Sequence, residues 1–414
     1  MRCRIPRLGH HNLGVRKPST IPDDEVSGDG FHNNEPRIGA PSSEVRIIEL
    51  DGIRGIAVLF ILIWHYVGIP LPPAGISLQP DRWVPSLKLS LIFFRSGVDL
   101  FFVLSGFLIT GILLDHREAK SYYRTFFVRR FVRIFPLYYA LVLVFAIAKL
   151  LGASGPLFLG PIPFTSYVTM TQNYFMAALR TYGAAWLGAT WSLAIEEQFY
   201  FSFPLLIRRA KRALPWIFCA GIIGAPVLRI FCYRHFGNTD WASYVWLPCR
   251  LDSLCWGALL AFLLRIPAAL VLLYRRRQWV IAAFIVLLIG AVVLDAALGR
   301  DIGYHTSYWG NSLLAVLYSF AILLATLFAG RRCTAFLRLK PLLSLGRISY
   351  GVYLLHAITL IIVFNIFALP VVLNDLRSIA LMALSLFLTI GICGLSYQLF
   401  ERPFWKFGQR LKYT

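Results

Sequence analysis

Apolar runs long enough to cross a bilayer recur along this chain, at roughly 52–70, 91–114, 131–152, 186–207, 214–232, 246–264, 278–298, 310–330, 344–369 and 378–400. The polar positions between them alternate in kind. Basic residues lie before the first run (Arg37, Arg46) and after the second (Arg117, Lys120, Arg124, Arg129, Arg130) and fourth (Arg208, Arg209, Lys211, Arg212). They return after the sixth (Arg275, Arg276, Arg277), the eighth (Arg331, Arg332, Arg338, Lys340) and the tenth (Lys406, Arg410, Lys412). Lys and Arg concentrate in cytoplasmic loops, so the pattern predicts an even number of spans with both termini in the cytoplasm. The fold class expected is all-α, a polytopic integral membrane protein of about ten transmembrane helices.

Three regions follow. Residues 1–46 hold no apolar run and read as a disordered cytosolic tail, 47–405 form the membrane domain, and 406–414 are a short basic cytosolic tail. No hydrophobic region follows the early arginines, so no signal peptide is expected. His10, His11 and His32 fall in the first tail and carry little functional weight. The stretch 155–185, rich in Gly, Pro, Thr and Tyr, is the longest expected extracytoplasmic connection, partly re-entrant or lid-like. No repeat of 20–50 residues is visible.

Composition agrees with the pattern. The 414 residues are 58% hydrophobic and 15% charged, with a mean hydropathy of +0.66, which is too apolar for a soluble domain. The net charge of +21 then belongs to loops facing anionic lipid and anionic cytosolic substrates, and no basic block lies in a soluble nucleic-acid-binding module. The seven cysteines show no paired metal-type spacing, and neither a metal nor a disulfide framework is expected.

Ionisable groups within the runs need a reason, since one at the bilayer centre costs at least about 2.5 kcal/mol. Arg54 and His65 are eleven residues apart, which returns to nearly the same helix face after a rise of roughly 16 Å. Glu196 and Glu197 precede Arg208 by eleven or twelve residues, which puts them roughly 16–18 Å deep. Asp252 and His356 come out at roughly 20 and 14 Å. Plain structural roles compete at several of these positions. Asp252 suits an ion pair with its neighbour Arg250, His356 a packed hydrogen-bonded role, Asp99 a bond across to another helix, and Asp51 a cap or a pair with Arg54. His65 with Glu196 is the stronger constellation: an imidazole acts as general base while a carboxylate fixes its tautomer. Arg129, Arg130 and Arg133 project from an apolar, interfacial helix, either as a lipid anchor or as guanidinium forks for the phosphates of a large anionic donor.

The motifs together resemble the membrane acyltransferase-3 family of surface-polysaccharide O-acyltransferases. The resemblance is carried by Leu50-Asp-Gly-Ile-Arg-Gly55 with the Arg54-x10-His65 spacing, Gly97-Val-Asp-Leu-Phe-Phe-Val-Leu-Ser-Gly-Phe-Leu-Ile109 and Arg129-Arg-Phe-Val-Arg-Ile-Phe-Pro-Leu-Tyr138. It continues through Thr190-Trp-Ser-Leu-Ala-Ile-Glu-Glu-Gln-Phe-Tyr200, Arg250-Leu-Asp-Ser-Leu-Cys-Trp-Gly257, Gly346-Arg-Ile-Ser-Tyr-Gly-Val-Tyr-Leu-Leu-His356 and Glu401-Arg-Pro403. It implies transfer of an acyl group, usually acetyl, from cytosolic acyl-CoA to a hydroxyl of a sugar, polysaccharide or lipid-linked sugar at a bacterial inner membrane. It also implies that His65 is the catalytic base, that Arg54 positions the donor, that Glu196 is the family's acid, and that Arg129, Arg130 and Arg133 serve the donor side. Asp51, Asp99, Glu197, Asp252 and His356 stand as supporting residues. Some members carry a C-terminal esterase-like domain; this chain is expected to act without one or with a partner. Acceptor contacts are expected from 155–185 and 233–245, where Tyr167, Tyr174, Tyr182, Trp186, Trp241 and Tyr244 suit sugar stacking or an interfacial belt. A proton-coupled exporter or flippase is the rival from another class, since it also places His, Glu and Asp at the midplane.

Overall fold

The structure, a computed structural model, describes residues 46–70, 91–155, 157–235, 241–298 and 309–414. The tail expected over 1–46 lies outside the described residues except for Arg46, and the loop 233–245 is described only at its ends. Ten long helices run through the rest: α1 Ile48–Ile63, α2 Gly97–Asp115, α3 Tyr122–Leu150, α4 Thr190–Ala210 and α5 Leu214–His235, then α6 Leu247–Leu263, α7 Arg277–Leu298, α8 Asn311–Leu327, α9 Ser349–Ile366 and α10 Leu376–Ser396. No strand occurs among the described residues.

Eight stretches are long and apolar enough to cross a membrane, or nine if α8 is joined to Arg332–Arg338, which bends away from it by 109°. One of the eight, Ala185–His235, is 51 residues long and contains both α4 and α5. Lys211 breaks it with a positive φ of 35°. The Phe203 and Phe218 rings on either side stack 5.8 Å apart, whereas fifteen residues of straight helix would separate them by about 22 Å. The chain therefore reverses at Lys211, and α4 and α5 are separate passes of a polytopic all-α membrane protein.

The helix ends bearing the basic clusters are tied to one another. Gly330 N–H donates to Glu49 Oε1 at 2.7 Å, Arg265 Nε meets Asp115 Oδ1 at 2.6 Å, and Tyr122 donates to the Pro204 carbonyl at 3.1 Å. Ser121 N–H donates to the Thr414 carbonyl at 3.1 Å. The described start of the chain and its end thus lie on the same, arginine-rich face.

Close backbone packing builds the centre. A Cβ on Gly106 of α2 would run into the Leu254 carbonyl oxygen, and one on Gly257 of α6 into the Val103 carbonyl oxygen, so these glycines let the two helices touch main chain to main chain. Around them sits a buried ionic layer. Arg250 of α6 pairs with Asp99 of α2, and Asp252 accepts from Arg229 of α5 and Ser312 of α8, each at 2.7 Å. The expected Arg250–Asp252 pair does not form. Residues two apart on a helix point to opposite sides, and each finds its partner on a neighbouring helix instead.

The 155–185 connection is held rather than loose. It folds into short helices over Phe164–Val168, Gln172–Leu179 and Ala185–Gly188. Tyr138 donates to the Tyr167 carbonyl at 2.7 Å, Gln172 Nε2 to the Thr190 carbonyl at 3.0 Å, and Asn173 Nδ2 to the Val245 carbonyl at 3.0 Å.

Candidate active site

His65 stands where α1 gives way to a single π-helical turn, Trp64–Gly68. Its Nδ1 lies 2.9 Å from the Ile61 carbonyl oxygen. A carbonyl only accepts, so Nδ1 carries the proton and the neutral ring keeps a lone pair on Nε2. His356 of α9 is built the same way: its Nδ1 faces the carbonyls of Val352 at 3.1 Å and Tyr353 at 2.8 Å, and its buried Nε2 has no hydrogen-bond partner. The two imidazoles meet edge to face with centroids 4.6 Å apart.

Both histidines line a cavity of about 480 Å³ whose wall also holds Arg95, Tyr182, Trp241, Tyr244 and Asn311. These residues cluster at helix ends opposite the basic face, so the cavity belongs to the outer half of the bundle. Three of the six aromatic candidates for acceptor contact are therefore here. The other three are not: Tyr167 is buried in the core, Trp186 donates to the Leu141 carbonyl at 3.1 Å, and Tyr174 is exposed.

A second, narrower cavity of about 100 Å³ lies toward the basic face and is lined by Arg54, Arg130, Arg133, Ser105, Glu196 and Tyr200 among others. Its acid is fully engaged. Glu196 accepts from Ser105 Oγ and from Tyr200 Oη, both at 2.9 Å. The Arg130 guanidinium sits over the Tyr200 ring, 5.2 Å from its centroid. Arg54 keeps one bond to Asp51, at 3.1 Å, and Asp51 also binds Arg46 at 2.6 Å.

Val98 and Tyr353 belong to the walls of both cavities. The Tyr353 hydroxyl donates to the Ala189 carbonyl at 2.8 Å and is in contact with Ser192 Oγ. A chamber holding three arginines and a chamber holding a histidine lone pair are therefore separated by two side chains, one of them latched by its hydroxyl.

The expected residues sort as follows. His65 and His356 share one chamber, and Arg54, Arg130, Arg133 and Glu196 share the other. Glu196 does not approach His65: the tautomer is set by the Ile61 carbonyl, and the carboxylate turns to α2. Arg129 leaves the arginine chamber altogether. Its Nε donates to the Leu411 carbonyl at 2.9 Å and its guanidinium covers the Tyr413 ring at 5.1 Å, so it fastens the C-terminal segment. Glu197 faces a separate aromatic groove between α3 and α4 with Phe131, Phe135 and Tyr139. Asp99 and Asp252 belong to the ionic layer. Sequence reasoning missed Tyr353, Ser105, Tyr200 as the partner of Glu196, and Arg95. The only signal for the first was Tyr353 standing three residues before His356. Among the described residues no group of three or more His, Cys, Asp or Glu side chains converges.

The O-acetyltransferase OatA of Staphylococcus aureus strain NCTC 8325 is 27% identical over 383 residues, as is OatA of strain COL, the match covering 87% of this chain. The chain spans only 57% of the length of these relatives. No solved structure matches it. The family profile of the acyltransferase domain, type 3, matches residues 47–398, from the start of the arginine–histidine helix to the last long helix of the bundle. By that match, which takes in both chambers, the chain belongs to the acyltransferase-3 family.

Proposed function

We propose that the protein transfers an acyl group, acetyl above all, from acyl-CoA at the cytoplasmic face to a hydroxyl of a sugar, polysaccharide or lipid-linked sugar reaching it from the outer face of a bacterial inner membrane. The observation that carries this reading is the pair of cavities meeting at Val98 and Tyr353. Arg54, Arg130 and Arg133 suit the phosphates of a donor, because planar guanidinium groups fork two oxygens at once. The rise from Arg54 to His65, roughly 16 Å, lets a thioester arm reach the neck while its phosphates stay at the arginines.

At that neck His65 Nε2 takes the proton of the acceptor hydroxyl as its oxygen attacks the thioester carbonyl carbon. The C–S bond breaks, the ester forms, and the departing thiolate takes that same proton from His65 Nε2, which returns the imidazole to its neutral form. Holding both reactants in one water-poor passage supplies much of the rate. Glu196, fixed by Ser105 and Tyr200, offsets the positive charge of the donor chamber rather than serving His65.

The test is to reconstitute the purified protein with labelled acetyl-CoA and measure free CoA with and without glycan acceptors, and to weigh surface glycans from cells with and without the protein. Acceptor-dependent CoA release and one added acyl mass per modified sugar are expected. Movement of the acceptor across the membrane with no thioester consumed would establish the exporter reading instead.

A further inference from the structure

The outer cavity contains a charge that acyl transfer alone does not need. Arg95 sits in the short turn Phe93–Ser96 ahead of α2 and lines the cavity beside Tyr244, its guanidinium 5.9 Å from that ring's centroid. Among the described residues that line it, none is Asp or Glu. Among the described residues no carboxylate pairs with Arg95, and Asp99, four residues on, is taken by Arg250. Among the described residues, the wall of the chamber therefore carries one guanidinium and no carboxylate.

The rest of the wall is made for a ring-shaped polar ligand. Six Trp and Tyr side chains line it, and they brace one another: Tyr182 against Trp241 at 4.6 Å, and Trp191 against Tyr244 at 4.7 Å between centroids. Braced rings keep their geometry without a ligand, so little order has to be gained on binding. A cation in a partly dry, aromatic-walled site is best satisfied by an anion it can fork.

We infer that the acceptor carries an anionic group, a carboxylate or a phosphate, and that Arg95 is the residue that selects it. This rests on the acyl-transfer reading for the term acceptor, but the binding preference can be measured without a donor. Trp64, Trp191 and Trp241 line the cavity and report on occupancy.

The experiment is a tryptophan-fluorescence titration of the full chain in neutral-lipid nanodiscs with methyl glucuronide, glucose 6-phosphate and methyl glucoside. At least one anionic probe is expected to bind about tenfold or more tighter than the neutral one, the scale of a charge-assisted hydrogen bond. The tighter of the two anions identifies the group. Arg95→Gln is expected to abolish the preference and Arg95→Lys to keep part of it. Equal binding of charged and neutral probes by the wild type, binding of none, or a preference that survives Arg95→Gln overturns the inference. The two readings fail separately. Absence of CoA release with every acceptor strikes acyl transfer and leaves the anion preference standing, whereas turnover with no anion preference strikes only the role of Arg95.

Discussion

The imidazoles of His65 and His356 lie edge to face, 4.6 Å between centroids, and each points Nδ1 at a main-chain carbonyl of its own helix. Two rings from distant parts of the chain thus present unprotonated nitrogens in one chamber. Only His65 stands on the helix that also carries Arg54, and His356 packs against it. His356→Ala should lower kcat by roughly 10- to 100-fold through loss of His65 positioning while leaving the donor KM near wild type. Steady-state kinetics with saturating acceptor checks this, and an unchanged kcat would remove His356 from the site.

The arginines should separate by chamber. Arg133→Ala and Arg130→Ala remove groups that line the inner cavity, and each should raise the donor KM by roughly tenfold or more, the scale of a charged hydrogen bond. Arg129→Ala should leave donor KM unchanged. Its partners are Leu411 and Tyr413, so it should instead make the C-terminal segment more sensitive to protease.

The Tyr353 hydroxyl holds the shared wall of the two cavities to Ala189 and Ser192. Tyr353→Phe keeps the ring and loses the latch, a change on the order of 0.5–1.5 kcal/mol. CoA release in the absence of acceptor should rise, by about two- to tenfold relative to coupled transfer, because water gains access to the thioester. The ratio of the two rates measures it, and an unaltered ratio would show that the latch does not gate the passage.

The ionic layer should matter for stability and not for chemistry. Asp252→Ala takes from Arg229 its carboxylate and Asp99→Ala does the same to Arg250, both arginines without exposed surface. Loss of one partner from a buried pair costs about 3–5 kcal/mol, so the midpoint of thermal unfolding in detergent should fall clearly for each. Replacing Asp99 and Arg250 together by Leu and Met should cost less than either single change.

Much of this arrangement could be read from residue order. Alternating basic loops marked the helix ends that Glu49–Gly330 and Ser121–Thr414 contacts bring to one face. The helical period placed Arg54 and His65 on one side of α1, because the π-helical turn begins only at Trp64. The rotation of a helix about its own axis, however, is not legible, and Glu196 lines the cavity of Arg54 while His65 lines the other. Counting residues put Glu196 level with His65, but the angle of α4 about its own axis depends on packing, and it turns the carboxylate to Ser105 and Tyr200. The same holds for Asp99 and Asp252, whose partners lie 151 and 23 residues away along the chain. Arg95 stood in an apolar run without a motif around it, so only the cavity wall gives it a role.

The central claim is that the His65 lone pair takes the hydroxyl proton, and it is tested most directly with purified His65→Gln, supplied with radiolabelled acetyl-CoA and acceptor. Donor affinity is expected to stay at the wild-type value, since the arginine chamber is untouched, and acyl transfer to fall by about 10²- to 10⁴-fold, the contribution of a positioned general base. Transfer at the wild-type rate would contradict it.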